Sequence, residues 1–137
     1  MGTRARRRRI LVVDDEPQLR LTIADALTLE GYDVSMATNG ADALALIPHT
    51  DPDAIVFDLW MPVLDGFEFR KALLATYPNI PVVVLSAVDS RNPRLAELQA
   101  TALLAKPFDL ESLYAAVAAV LGGASGSGER PADPSRA

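Results

Sequence analysis

Ile10-Leu11-Val12-Val13-Asp14-Asp15-Glu16-Pro17 decides the fold. Four apolar residues, three of them β-branched, run unbroken into two carboxylates, and Pro17 then opens a helical pattern. A strand covered by helices on both faces reads as such a continuous apolar run, because neither face meets water. Proline suits a first helical turn, where its missing N–H has no partner to lose. Leu19, Ile23, Ala26 and Leu27 then recur at helical spacing as far as Gly31.

The unit repeats outward from there. Ala54 to Phe57 runs into Asp58, and Val82 to Leu85 runs into Ser86, both in the same continuous apolar style. Asp33 to Ala37 alternates, as an edge strand does, and Ala102 to Ala105 before Lys106 supplies a fifth strand at the other edge. Between the strands, Gly40 to Ile47 predicts a short second helix closed by Pro48. Asp65 caps a third running to about Thr76, with Pro78 beyond it. The segment after Pro93, with Leu95, Ala96, Leu98 and Gln99, makes barely two turns. Asp109 caps the last helix, whose stripe is Leu110, Leu113, Val117 and Val120. Five strand–helix units in about 120 residues predict an α/β domain, flavodoxin-like and doubly wound, with a parallel sheet in the order 2-1-3-4-5. In such sheets ligands bind outside the carboxyl ends of the strands, where the winding reverses.

Composition narrows the chemistry. The chain of 137 residues has no cysteine and a single histidine, His49, so thiolate and histidine-rich metal sites are excluded. Carboxylates are left as the metal ligands. The net charge of -5 conceals five arginines ahead of the first strand (Arg4, Arg6, Arg7, Arg8 and Arg9). The acidic remainder argues against a nucleic-acid-binding domain, and the arginines read as a solvated arm. A nucleic-acid role for that arm alone is the minor option, and strong salt dependence is its mark. No apolar run approaches the ~18 residues of a membrane span, and a signal peptide needs a longer apolar segment. The reading is a soluble cytoplasmic protein: a basic arm over 1–8, one domain over 9–121, and a Gly/Ser/Pro tail over 122–137 with the composition of a disordered segment.

The strand ends carry the functional signal. Asp14 and Asp15, Asp58, Ser86 and Lys106 follow four different strands, and parallel pairing gathers them at one sheet edge. Three carboxylates there repel one another unless a cation compensates. An all-oxygen set suits Mg²⁺, which takes one or two carboxylates and keeps an open position. A phosphoryl group fits that opening. Asp58 is the candidate nucleophile, Lys106 a point charge, and Ser86 a hydroxyl donor to a phosphoryl oxygen. Any one of these residues alone is more often a cap or turn residue; the set of five is what argues for a site.

Val12-Val13-Asp14-Asp15-Glu16-Pro17, Asp58-Leu59-Trp60-Met61-Pro62 with Asp65-Gly66, Leu85-Ser86-Ala87, and Lys106-Pro107-Phe108 together resemble response-regulator receiver domains. The resemblance covers roughly residues 9–121 in the family's order. It implies that Asp58 accepts phosphate from the phosphohistidine of a sensor histidine kinase or a histidine phosphotransfer protein. It further implies that Asp15, Asp58 and the Trp60 carbonyl hold Mg²⁺, with Asp14 acting mainly through water. Lys106, Ser86 and the Ala87 N–H would contact the phosphoryl group, the Lys106–Pro107 bond would be cis, and a surface from strand 4 to the last helix would switch a protein partner. No DNA-binding or enzymatic segment is visible after Leu121, so the reading is a single-domain regulator.

The chain departs from the family's pattern at Leu103, where an aromatic residue is common, and the stretch from Ser86 to Lys106 is about two residues short, with Ala100-Thr101 where Gly-Ala is common. Trp60 and Val88 stand where they could exclude hydrolytic water from the phosphoryl group. A haloacid-dehalogenase-type phosphatase is the enzyme alternative, but it needs a second Asp two residues after its nucleophile, where this chain has Trp60. A nucleotide-binding loop after strand 1 needs glycines, and Asp14-Asp15-Glu16-Pro17 is its electrostatic opposite. A pseudo-receiver that signals without phosphate is the remaining alternative, disfavoured by the retained acidic set and Lys106.

Overall fold

The computed structural model describes residues 7–87 and 92–122. The expectations placed on Arg4 and Arg6 of the basic arm, on Val88 and on the tail beyond Gly122 lie outside them. Five strands, β1 (Arg9–Val13), β2 (Asp33–Ala37), β3 (Ala54–Asp58), β4 (Val82–Ser86) and β5 (Ala102–Ala105), form one parallel sheet in the order β2-β1-β3-β4-β5. This is the flavodoxin-like winding read from the sequence. The helices are α1 (Pro17–Leu29), α2 (Gly40–Thr50), α3 (Gly66–Thr76) and α4 (Leu110–Val120), with a 3-10 segment at Pro93–Leu98.

Because strand side chains alternate, the sheet builds two cores. Leu11, Val13, Ile55, Phe57, Val82 and Val84 face α2, α3 and the 3-10 segment, where Phe57 meets Phe69 edge-on at 5.0 Å. Ile10, Val12, Val56, Val83 and Leu85 face α1 and α4. Every residue of β3 and β4 is buried, as central strands covered on both faces require.

Four features differ from the sequence reading. α2 does not stop at Ile47 but runs through Pro48 to Thr50. Proline in the last turn forfeits only its own N–H bond, and the Asp51 N–H still reaches the Ile47 carbonyl at 2.9 Å. The fourth helix is not an α-helix; the six residues Pro93–Leu98 form a 3-10 turn, started by the Asn92 side chain and closed by Gln99 at φ 43°. Gln99 ends the run after Leu98 by turning into the left-handed region, where its N–H returns to the Ala96 carbonyl instead of continuing a helix. The β2 alternation is imperfect: Met36 is exposed while Ala37 is buried. The α4 stripe is Leu113, Val117 and Val120; Leu110, the first residue of the helix, is exposed.

Candidate phosphoacceptor site

The carboxyl edge of the sheet is assembled by ladder bonds that outlast the strands. The Asp14 N–H donates to the Ala37 carbonyl (3.2 Å), Leu59 to Leu85 (2.9 Å) and Lys106 to Ser86 (2.9 Å). These bonds fix the residues just past each strand in the sheet's register, so their side chains converge. Asp14 and Asp58 are buried while Asp15 is exposed, and one carboxylate oxygen from each lies within 4.8 Å of the others.

Asp58 ends β3 with both oxygens engaged. Its Oδ2 accepts a 3.0 Å bond from Lys106 Nζ, and its Oδ1 accepts the Trp60 N–H at 3.3 Å. The Lys106 bond is charge-assisted and partly buried, and with the Trp60 N–H it holds the carboxylate through both of its oxygens. Asp14 Oδ1 accepts the Glu16 N–H at 2.9 Å, but its Oδ2 is buried without a hydrogen-bond partner. Burial pushes the Asp14 carboxyl above its ordinary range, the Asp58 and Asp15 charges push the same way, and the Glu16 N–H and Lys106 oppose. An orphaned carboxylate oxygen beside two other carboxylates is a poor arrangement for the protein alone and a good one for a divalent cation. The donor set therefore fits Mg²⁺.

The remaining positions read from the sequence fall around the same edge. Ser86 closes β4 and is buried, Ala87 follows it at the surface, and the Lys106–Pro107 peptide is cis. Trp60, 51 % exposed, stands at the rim. The loop to α3 turns tightly: the Leu64 N–H bonds the Pro62 carbonyl at 2.7 Å across Val63, a β-branched residue held at φ 70°. It returns so closely that the Gly66 N–H donates to the Leu59 carbonyl at 2.7 Å. Leu103 points an exposed aliphatic side chain from β5, at the position where receiver domains commonly carry an aromatic one.

Sequence reasoning missed what holds the 3-10 segment. Arg70 on α3 is buried, and its Nε and Nη2 donate to the Leu98 and Gln99 carbonyls at 2.6 and 2.9 Å. Arg94 at the other end of the segment lies 3.9 Å over the Phe67 ring, and that ring meets Trp60 at 5.8 Å. Arg70 and Phe67 sit one helical turn apart on α3, but nothing local to them names their distant partners.

Comparison with known proteins agrees with this geometry. The model of the response regulator receiver domain matches residues 10–118. Response regulator MprA of Mycobacterium sp. (strain KMS) is 45% identical over 115 residues, covering 82% of this chain and 50% of the relative. The chain thus spans about half the length of the curated relatives it matches. Among solved structures, chemotaxis protein CheY4 of Vibrio cholerae superposes with a TM-score of 0.78 at 33% identity, over 84% of this chain and 99% of that one. Response regulator TrrA of Thermotoga maritima, solved with Mg²⁺ and BeF, gives a TM-score of 0.75 at 29% identity, over 82% and 98%. The receiver domain of a sensor histidine kinase from Pseudomonas aeruginosa PAO1, with magnesium in its active-site cleft, gives 0.77 at 29% identity, over 86% and 100%. With the matched segment spanning all five strands and the acidic edge, the chain belongs to the response regulator receiver domains of two-component signalling.

Proposed function

We propose that this chain is the phosphoacceptor of a two-component phosphorelay, with Asp58 as the residue modified. The carrying observation is Asp58 itself, a buried carboxylate held by Lys106 Nζ at 3.0 Å beside an acidic pair whose Asp14 Oδ2 has no partner. In the step proposed, an Asp58 oxygen attacks phosphorus, the P–N bond of a phosphohistidine donor breaks, and the leaving imidazole takes a proton from solvent. Asp14, Asp15, Asp58 and the Trp60 carbonyl would hold Mg²⁺, which when bound supplies positive charge against the transferring phosphoryl oxygens. The chain's own residues do the rest. Lys106 orients the carboxylate and neutralises charge, and the Ser86 hydroxyl and Ala87 N–H donate to phosphoryl oxygens.

The donor is a sensor histidine kinase or a histidine phosphotransfer protein. The surface offers such a protein a seat beside the acceptor: an apolar depression of about 620 Å³ lined by Leu19, Ile23, Lys106, Pro107, Phe108 and Leu110. The proposed site of action is the cytoplasm, where a sensor histidine kinase presents its phosphohistidine; among the described residues no helix is long and apolar enough to cross a membrane. Incubation with acetyl phosphate and Mg²⁺, followed by intact mass, tests the proposal. One phosphoryl group is expected per chain, released by hydroxylamine and absent from Asp58→Ala. An unmodified parent chain, with a phosphorylated histidine donor also tried, would replace this reading with a receiver that signals without phosphate.

A further inference from the structure

The three carboxylates at the sheet edge are not held alike. Asp58 is bonded through both oxygens, and Asp14 through the Glu16 N–H. The exposed Asp15 carboxylate accepts no hydrogen bond and forms no ion pair among the described residues. Its direction is therefore left to the main chain that carries it. A trans peptide is planar, so the Asp14 carbonyl and the Asp15 N–H turn as one unit. Arg20 holds that unit: from a half-buried position on α1, its Nη1 donates to the Asp14 carbonyl at 2.8 Å.

The guanidinium has a nearer carboxylate that it does not take. Glu16 lies four residues before Arg20, the spacing at which a carboxylate and a cation pair on a helix. Glu16 instead turns its Oε1 to the Leu19 N–H at 2.6 Å as the cap of α1, and its carbonyl accepts the Arg20 N–H at 2.9 Å. Capping thus separates the two side chains, and among the described residues Arg20 forms no ion pair. A cation next to the acidic edge is bonded to main chain rather than to charge.

We propose that Arg20 is a positioning residue for the Mg²⁺ ligands: by holding the Asp14–Asp15 peptide it aims the Asp15 carboxylate at an ion shared with Asp14 and Asp58. The inference rests on the acidic edge being the Mg²⁺ site of the phosphoacceptor reading. A ligand already oriented loses less freedom when it takes the metal, so its orientation tightens binding. Coulomb repulsion works the other way, because a positive charge near the site opposes the incoming cation. Removing the guanidinium therefore has two effects of opposite sign, and the geometry favours the first. Nη1 is bonded directly to the peptide, whereas its charge acts across a partly exposed surface, where water and salt screen it.

Mg²⁺ titration of the whole chain at constant ionic strength tests the proposal, read by calorimetry and by the emission of Trp60, the sole tryptophan of the sequence. Arg20→Met keeps the aliphatic stem and removes the donor. Its Mg²⁺ midpoint is expected to rise by about three-fold or more, and the Mg²⁺ concentration that half-saturates phosphorylation by acetyl phosphate to rise with it. Urea unfolding in chelator reads the stability of the same variant. A less stable Arg20→Met with the parent's Mg²⁺ midpoint would make the bond merely structural and overturn the proposal. A lower midpoint, which loss of the charge alone predicts, would overturn it too. Should Arg20→Met not fold, Arg20→Lys takes its place, since it keeps the charge but lacks the guanidinium fork. The same rise is expected there, and a midpoint equal to the parent's would overturn the proposal. Each of these contrary results leaves the phosphoacceptor reading standing; a parent chain that binds no Mg²⁺ would instead remove the metal site on which both rest.

Discussion

Gly66→Ala probes how tightly the loop after Asp58 is built. A Cβ placed on Gly66 would lie 2.6 Å from Leu59 Cα, 2.7 Å from its carbonyl oxygen and 2.8 Å from its Cδ1. Carbon atoms pack best at about 3.5–4.0 Å, so two backbone atoms must retreat by roughly 1 Å. Only two movements are open. Either the start of α3 lifts away, breaking the Gly66-to-Leu59 bond of 2.7 Å, or Leu59 shifts and strains its 2.9 Å bond to Leu85. Overpacking costs about 1–3 kcal/mol and one lost hydrogen bond about 0.5–1.5 kcal/mol. The better helix propensity of alanine, and the reduced freedom of its unfolded chain, return up to about 1 kcal/mol. The net expectation is a destabilisation of about 1–3 kcal/mol, read by urea unfolding. Since Leu59 follows Asp58, the rate of phosphorylation by acetyl phosphate should also fall. Gly31→Ala is the control. Gly31 sits at φ 99° with nothing within 4 Å of an added Cβ, so that variant should lose stability through backbone strain alone and keep the parent's phosphorylation rate. Gly66→Ala within about 0.5 kcal/mol of the parent, or with a rate equal to that of Gly31→Ala, would refute the reasoning.

Other consequences follow from the same contacts. Because the Asp14 carboxyl is raised in the fold, its stabilising contribution is present below the unfolded value of 3.8 and lost as pH rises through the folded value. In chelator at neutral pH, Asp14→Asn should therefore unfold at higher urea than the parent; the difference should shrink as pH is lowered towards 3.8, and added Mg²⁺ should favour the parent. A parent more stable than Asp14→Asn at neutral pH without metal would contradict this. Arg70→Ala removes two charged hydrogen bonds to carbonyls while relieving a buried Nη1 that lacks a partner, for a net loss of about 1–3 kcal/mol. Amide exchange should rise first in residues 95–101, and unchanged exchange there would show that the clamp is idle. Trp60→Asn opens the rim of the site and should shorten the lifetime of the phosphorylated chain several-fold, measured by intact mass after removal of the donor; an equal lifetime would rule out shielding by the indole.

The fold was legible because each central strand is apolar throughout and ends in a polar residue. Val12-Val13-Asp14-Asp15 and Ile55-Val56-Phe57-Asp58 announce buried parallel strands and the edge where their side chains meet. The caps at Asp65 and Asp109 were legible for a local reason, since a carboxylate that accepts an N–H three residues ahead is a short-range feature. Pro48 misled because a proline's effect depends on its distance from the helix end, which the rest of the turn decides. Arg70 and Arg94 escaped because their meaning is long-range. A lone arginine on a helix reads as a solvated charge, and only the packed chain shows that the Arg70 guanidinium closes a segment 28 residues away. Asp14 is legible as one of the three carboxylates that meet at the sheet edge, but its orphaned oxygen is a property of the packed environment.

The central claim is chemical, and borohydride trapping tests it most directly. The chain is phosphorylated with acetyl phosphate and Mg²⁺, reduced with borohydride, digested, and sequenced by mass spectrometry. Reduction converts an aspartyl phosphate to homoserine, so the account predicts homoserine at position 58 and aspartate at positions 14 and 15. The signal should vanish in Asp58→Ala and fall sharply in Lys106→Met. Homoserine at position 14 or 15 in the parent, or an unreduced chain that nonetheless carries phosphate, would contradict the assignment of Asp58 as the acceptor.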